Sequence, residues 1–376
     1  MTLADLADVK FVDADPDEIM AALVADYLEI TKRKTLAKGD PVRLFLLAVA
    51  ESIVRLRNAI NYTGKMNLLK YAEGDFLDHM GAFFDTPRLD AAAAATTIKI
   101  TLSTARERGT VIPAGTRISN GDRLYFSLPE EAVIPAGETE ILVPAECMET
   151  GETGNDYMPG EISTIVDPVP YVASMANTTK TEGGSERETD AHYRERIHEA
   201  PEKFSTAGPY GAYRYWAMSA SALIADAQPY GPEDSPGEVE IYVLLENGGI
   251  PGEEMLSKVL DAVADDEKGV RPFTDHVTAK PPDIVEYDLS LEYYMLSGAD
   301  ATATEKAVEE AVDGYVLWQK AKLGRDINPD ELVLRLKSIN GVKRVNILSP
   351  VFTSLDERQV ALAGSVQIRA MGSEDE

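Results

Sequence analysis

The side chains best suited to chemistry in this chain are four histidines, one cysteine and an acidic run near the N-terminus. None of them has the spacing that its chemistry needs. His192 and His198 stand six residues apart; on a helix that separation turns about 240°, so the two imidazoles diverge and cannot share a metal. They read as surface histidines. His79 and His276 stand alone in apolar settings and read as structural. The run "DADPDE", Asp13–Glu18, opens like a calcium loop. Its sixth position, which needs glycine, is Glu18, and its twelfth, which needs a bidentate glutamate, is Val24. It reads as an acidic helix start. Cys147 is single, which rules out an internal disulfide or a cysteine-based zinc site and suits a half-buried strand thiol. The chain has no G-x-x-x-x-G-K-[ST], G-x-S-x-G, H-E-x-x-H or G-x-G-x-x-G. With 64 acidic residues some pair of carboxylates always lies close, so proximity alone cannot mark a glycosidase pair. No residue is assigned to catalysis, a cofactor or a metal.

The elements that would have to position any site come in three kinds. The chain has 376 residues, long for one core, so two or three domains are expected. Hydrophobic residues at 44% and charged residues at 27% describe a folded chain. Lysine and arginine number 36 against 64 aspartates and glutamates, a net charge of −28. Nucleic-acid binding needs phosphates neutralised by cations, and no basic cluster is read as interrupting this acidity, so nucleic acid is a poor candidate partner and none is expected. The N-terminus "MTLADLADVKFVDADPDE" lacks the basic and apolar regions of a signal peptide. The longest apolar run, "LFLLAVA" at Leu44–Ala50, is too short to span a bilayer. Synthesis in a reducing cytoplasm without membrane insertion is expected.

Residues 1–90 read as helical. Met20, Leu23, Tyr27 and Ile30 recur at helical spacing, and Leu46, Val49, Ile53, Leu56 and Ile60 do so more strongly. Asp40 before Pro41 is a good helix start, and a shorter helix is expected over Asp75–Phe84. The run "DTPRLDAAAAATT" marks a boundary, with its alanines read as extending a helix. Residues 91–180 read as an antiparallel β-sandwich or barrel. "TIKITLS" alternates, with Ile98, Ile100 and Leu102 on one face. The pentapeptide "VIPAG" occurs twice, at Val111–Gly115 and Val133–Gly137. Each copy reads as a strand end and a type I turn, with proline second and glycine fourth. Residues 181–376 read as an α+β region of one or two subdomains, with a hairpin between two of its strands. There Ser185 and Glu188 fit a capping box, and Thr189 is a rival cap.

Four stretches, in order, resemble the baseplate J-like proteins of contractile phage tails: "GGSERETDAHYRERI", "STAGPYGAYRYWAM", "ADAQPYGPEDSPGEVEIYVL" and "RPFTDHVTAKPP". The match falls on Gly183, Gly184, Asp190, Arg194 and Arg196, then Tyr213, Trp216 and Ala217, then Gly237, Val239 and Val243, and finally Arg271, Pro272 and Thr274. The VIPAG turns followed by "GETGNDYMPGEI" are similar to the family's β domain. "SASALIADA" departs from it, having alanine where the family usually has glycine before the aspartate. The resemblance implies a non-catalytic structural wedge protein of the tail baseplate, assembled in the host cytoplasm around the central hub. Its implied partners are other wedge proteins, a sheath-initiator-type protein, a second copy of itself and the hub. The N-terminal helices are implied to join a bundle with the wedge partner. The stripe Leu46, Val49, Ile53, Leu56 and Ile60 would then either meet that partner or pack internally. Short segments near Arg88–Thr96 and Asn177–Ser185 are expected hinges between domains. Two other classes carry the same acidic, β-rich character. One is a tail-associated polysaccharide-binding or polysaccharide-degrading protein, poorly matched by 7% aromatics. The other is a secreted adhesin, which would need a signal peptide.

Overall fold

A computed structural model describes residues 3–205, 208–263, 271–272 and 274–375. The chain divides into two compact units, Met1–Pro87 and Arg88–Glu376.

The first unit contains helices α1 (Pro16–Thr31), α2 (Pro41–Lys65) and α3 (Gly74–Ala82). The acidic run caps a helix. The Asp15 side chain accepts from the amides of Asp17 and Glu18, and Asp40 accepts from Val42. A proline follows each cap, where its missing N–H costs nothing. The connection after α1 corrects the expectation of unbroken acidity. Lys32, Arg33, Lys34 and Lys38 cluster there, all exposed, and Lys32 is left-handed with φ 58°. His79 is also exposed, outside the apolar setting expected for it.

The second unit opens with β1 (Ala93–Leu102), so the alanine run is strand and extends no helix. Packing overrides propensity there. Ala94 is fully buried, and a Cβ added at Gly154 would lie 2.9 Å from the Ala94 methyl. Only a small side chain fits at 94, and Thr96 and Thr97 beyond it favour the strand. The following strands are β2 (Thr110–Ile112), β3 (Arg117–Ser119), β4 (Tyr125–Ser127), β5 (Ala132–Ile134), β6 (Glu140–Thr150), β7 (Thr164–Ile165) and β8 (Val172–Asn177). Their main sheet has the order β7-β3-β4-β6-β1-β8. The terminal strands β7 and β8 lie beside each other, so the sheet nearly closes into an antiparallel barrel. Ile98, Ile100, Ile118, Phe126 and Ile162 fill it. Cys147 on β6 is buried rather than half-buried, and burial pushes its thiol up.

The two VIPAG copies face each other. β2 pairs with β5 as Thr110↔Ile134, Val111↔Val133 and Ile112↔Ala132. The turns differ from the sequence reading. Thr116 N–H bonds the Pro113 carbonyl at 3.3 Å, and Glu138 N–H bonds that of Pro135 at 3.2 Å. Proline is therefore first and glycine third, with φ of 78° at Gly115 and 87° at Gly137. A positive φ at the third position belongs to turns that favour glycine there.

The rest of the unit carries α4 (Asp190–Glu199), α5 (Tyr210–Met218), β9 (Ile224–Tyr230), β10 (Glu238–Leu245), α6 (Glu253–Val263) and β11 (His276–Lys280). β9 and β10 form a hairpin and β11 adds parallel, in the order β11-β10-β9. Ala225, at the family departure, lies inside β9, and His276 is exposed at the start of β11. Pro281 and Pro282 then break the chain between two sheets. The last sheet, ordered β13-β12-β14, comprises β12 (Asp283–Leu296), β13 (Val342–Ser349) and β14 (Gln359–Glu374). Helices α7 (Ala301–Gln319) and α8 (Pro329–Lys337) pack on it through Val308, Val312, Tyr315, Leu332 and Leu336. Tyr242, Leu244, Leu323 and Val360 join the two three-stranded sheets in one small core.

Candidate assembly surfaces

In the first unit the residues of the α2 stripe divide along the helix. Leu46, Val49 and Ile53 are half-buried, whereas Leu56 is 65% and Ile60 51% exposed. The residue fully buried on α2 is Ala50. Further along, the inward face is polar. Arg57 donates to the Asp13 carbonyl at 2.8 Å. The Asn61 side chain accepts from the amides of Phe11 and Val12 and donates to the Val12 carbonyl. These residues satisfy an irregular backbone segment that no helix or sheet serves. Leu56 and Ile60 are thereby displaced to a flank. Phe45, 67% exposed, precedes Leu56 by about three turns and shares that flank. A second apolar surface lies on α1, where Met20, Ala21, Val24, Ala25 and Leu28 line an open groove of about 390 Å³ with Asp17 and Arg43 at its edge.

The second unit is braced by buried charge. Thr189 is the N-cap of α4, accepting from the His192 amide, so the capping box does not form. Glu188 has another task. It receives Arg196 through two bonds of 2.6 and 2.8 Å, the Leu89 amide at 2.9 Å and a His192 ring nitrogen at 2.5 Å. The other His192 nitrogen lies 2.8 Å from the Ile224 carbonyl oxygen. His192 is thus a buried bridge, not a surface residue. Burial alone would raise the Glu188 carboxyl, but hydrogen bonds from Arg196 and His192 outweigh it and hold it at about 2. A second network centres on Arg214, which binds Glu199, Asp226 and the Ala227 carbonyl. The other Asp226 oxygen accepts from the Leu323 amide at 3.0 Å, tying β9 to the segment after α7. Burial opposes the Arg214 charge, and the carboxylates of Asp226 and Glu199 more than compensate.

The segment expected to hinge at Asn177–Ser185 is held on several sides. The Asn177 side chain accepts from the amides of Gly160 and Ile162 and donates to the carbonyls of Met158 and Thr179. Glu182 accepts from the amides of Gly252 (2.9 Å) and Met255 (3.0 Å), closing the first turn of α6. In return, Glu254 of α6 accepts from the hydroxyls of Thr97 and Thr179. The segment near Arg88–Thr96 is bonded too, through Ala92 to Ser185 and Ala95 to Glu182. Both segments are hydrogen-bonded within the second unit. Spacing arguments between histidines missed this, but a signal existed: Glu188, His192 and Arg196 recur every fourth residue.

Among the described residues no group of three or more histidines, cysteines or carboxylates could hold a metal ion. None of the described helices is long and apolar enough to cross a membrane.

Three family models match in succession along the second unit. They are the baseplate J-like protein barrel domain over residues 97–184, the baseplate J-like central domain over 205–281 and the baseplate J-like protein C-terminal domain over 287–369. The chain belongs to the baseplate J-like family. Within this baseplate J-like chain the first model covers most of the barrel sheet. The second ends at the Pro281–Pro282 break, and the third covers most of the final sheet and its two helices. Baseplate protein J of Escherichia phage P2 is 33% identical over 190 residues, which are 50% of this chain and 61% of that protein. Baseplate protein gp47 of Escherichia phage Mu is 33% identical over 168 residues, 44% of each chain. The matched stretches span less than two thirds of either relative. A chain in the cryo-EM structure of the anti-feeding prophage baseplate, 6-fold symmetrised, aligns over 94% of this chain and 95% of its own, at 14% identity and a TM-score of 0.38.

Proposed function

We propose that this protein is a structural wedge component of the baseplate of a contractile tail. In this reading it resides in the tail baseplate of a virion or phage-derived particle, where it assembles by protein contacts and performs no catalysis. The observation that carries the reading is the ordered succession of the family's barrel, central and C-terminal domains along one braced unit. Its partners are other wedge proteins, a sheath-initiator-type protein, a second copy and the hub. The first unit would supply helices to a bundle with the wedge partner, through the flank of Phe45, Leu56 and Ile60 and the half-buried Leu46, Val49 and Ile53. Apolar surface left on so small a unit is the kind that a partner covers. The second unit, with its junctions bonded, would act as one rigid piece when the tail contracts. Deleting the gene from the producing phage or strain should leave tails without complete baseplates under the electron microscope. Normal contractile particles from the deletion would overturn the proposal.

A further inference from the structure

The connection between α1 and α2 is the chain's basic exception. Residues 30–70 carry nine lysines and arginines against two acidic residues. The second unit carries 26 basic against 50 acidic residues. Four of the cations, Lys32, Arg33, Lys34 and Lys38, fall within one exposed loop. Arg33 lies 3.7 Å from Asp40, a weak surface pair. The side chains of Lys32, Lys34 and Lys38 make no hydrogen bond or ion pair among the described residues. The carbonyls ending α1 favour a cation at Lys32. That explanation stops within the last turn and does not reach Lys34 or Lys38. Lys32 also adopts a left-handed backbone, which a lysine does not favour.

We infer that this loop is a docking tip for an acidic protein surface, and that the surface is the second unit of another copy of the chain. The complementary charge is present there. On α7, Glu305, Glu309 and Asp313 recur every fourth residue, all exposed, with no ion pair among the described residues. Like charges at that spacing destabilise a helix that stands alone, and a row of ammonium groups would relieve them. Three carboxylates over about 12 Å of helix face three unpaired lysines. Such a loop-to-α7 contact closes reciprocally in a two-fold pair or repeats from copy to copy around a ring. It rests on the assembly reading only for that setting, because the contact itself is a property of the purified chain.

The test is zero-length carbodiimide cross-linking of the full chain, mixing isotopically heavy and light copies in low-salt buffer. Heavy–light links from Lys32, Lys34 or Lys38 to carboxylates of the second unit, foremost on α7, are expected. They should fall several-fold at about 0.5 M salt, where screening acts within a few ångströms. Lys32→Glu, Lys34→Glu and Lys38→Glu together should abolish association. Adding Glu305→Lys, Glu309→Lys and Asp313→Lys should restore it, now through links from the introduced lysines. Links confined to single copies, or none from the loop, would overturn the inference while leaving the baseplate reading intact. Conversely, normal baseplates from the gene deletion would sink that reading and leave a heavy–light link standing.

Discussion

The two units divide their apolar residues between core and surface in different proportions. In the first, six hydrophobic residues are buried among those described, two of them alanines, whereas eleven large apolar side chains are exposed. Its helices depend on aspartate caps and on the clasp of Arg57 and Asn61 over the segment before α1. In the second unit, three apolar clusters and a bridging fourth fill the sheets. Buried ion pairs then fix how its parts meet. Among the described residues seventeen large apolar side chains are exposed there too, but over 289 residues against eleven over 87, so the first unit has the denser uncovered apolar surface and the smaller core beneath it. The comparison predicts that damage to the second unit acts on stability, and damage to the first acts on partners.

The largest effect should come from Glu188→Gln. The change leaves Arg196 buried opposite a neutral amide, and breaking such a pair costs about 3–5 kcal/mol. Denaturant unfolding of the full chain should show that loss in the transition of the second unit. The pH dependence has a definite sign. A carboxyl ordinarily near 4.5 that is held at about 2 in the fold contributes stability fully above pH 4.5. The contribution, about 3 kcal/mol, is lost as pH falls from 4.5 toward 2. The wild type should therefore lose stability more steeply over that window than Glu188→Gln. Parallel profiles would remove Glu188 from its role as the brace.

Next is Glu182→Ala, which strips the acceptor from the first turn of α6. The loss should be about 1–3 kcal/mol. Hydrogen exchange at the amides of Gly252 and Met255 should speed up before exchange in the barrel does. If those amides stay protected, the junction is held by something other than this carboxylate. A smaller effect, about 1–2 kcal/mol, is expected from Gly115→Val or Gly137→Val. Space is open at both, so the cost is purely that of a branched side chain at positive φ. An unchanged Tm would show that the turn tolerates side chains.

Much of the second unit was legible because its strands bury alternate residues. β1 does so along its whole length, as "TIKITLS" announces. The antiparallel barrel and the helix-covered sheets follow from such patterns. The alanine run was illegible because its conformation depends on Gly154, sixty residues along the chain and packed against Ala94. The place of His192 is set by a glutamate one turn earlier, Glu188, and the spacing between histidines carries no sign of that partner. On α2 the spacing was readable but the direction was not. Hydrophobic periodicity assumes that the apolar side faces inward, whereas here Arg57 and Asn61 face in to satisfy stray backbone groups.

The smallest stability effect and the sharpest functional one should come together, in Leu56→Asp with Ile60→Asp. Both side chains are more than half exposed, so the folded chain loses little, within about 0.5 kcal/mol. Leu46→Asp, by contrast, places a charge at a half-buried contact and should cost visibly more. If the flank is where a partner helix seats, the exposed pair should abolish co-purification with the wedge partner while Tm stays put. Desolvating two carboxylates in an apolar interface costs several times what the free chain feels. The opposite pattern, a fallen Tm with partner binding retained, would mean that α2 closes on its own unit. The first unit would then be as self-contained as the second, and the contrast between them would fail.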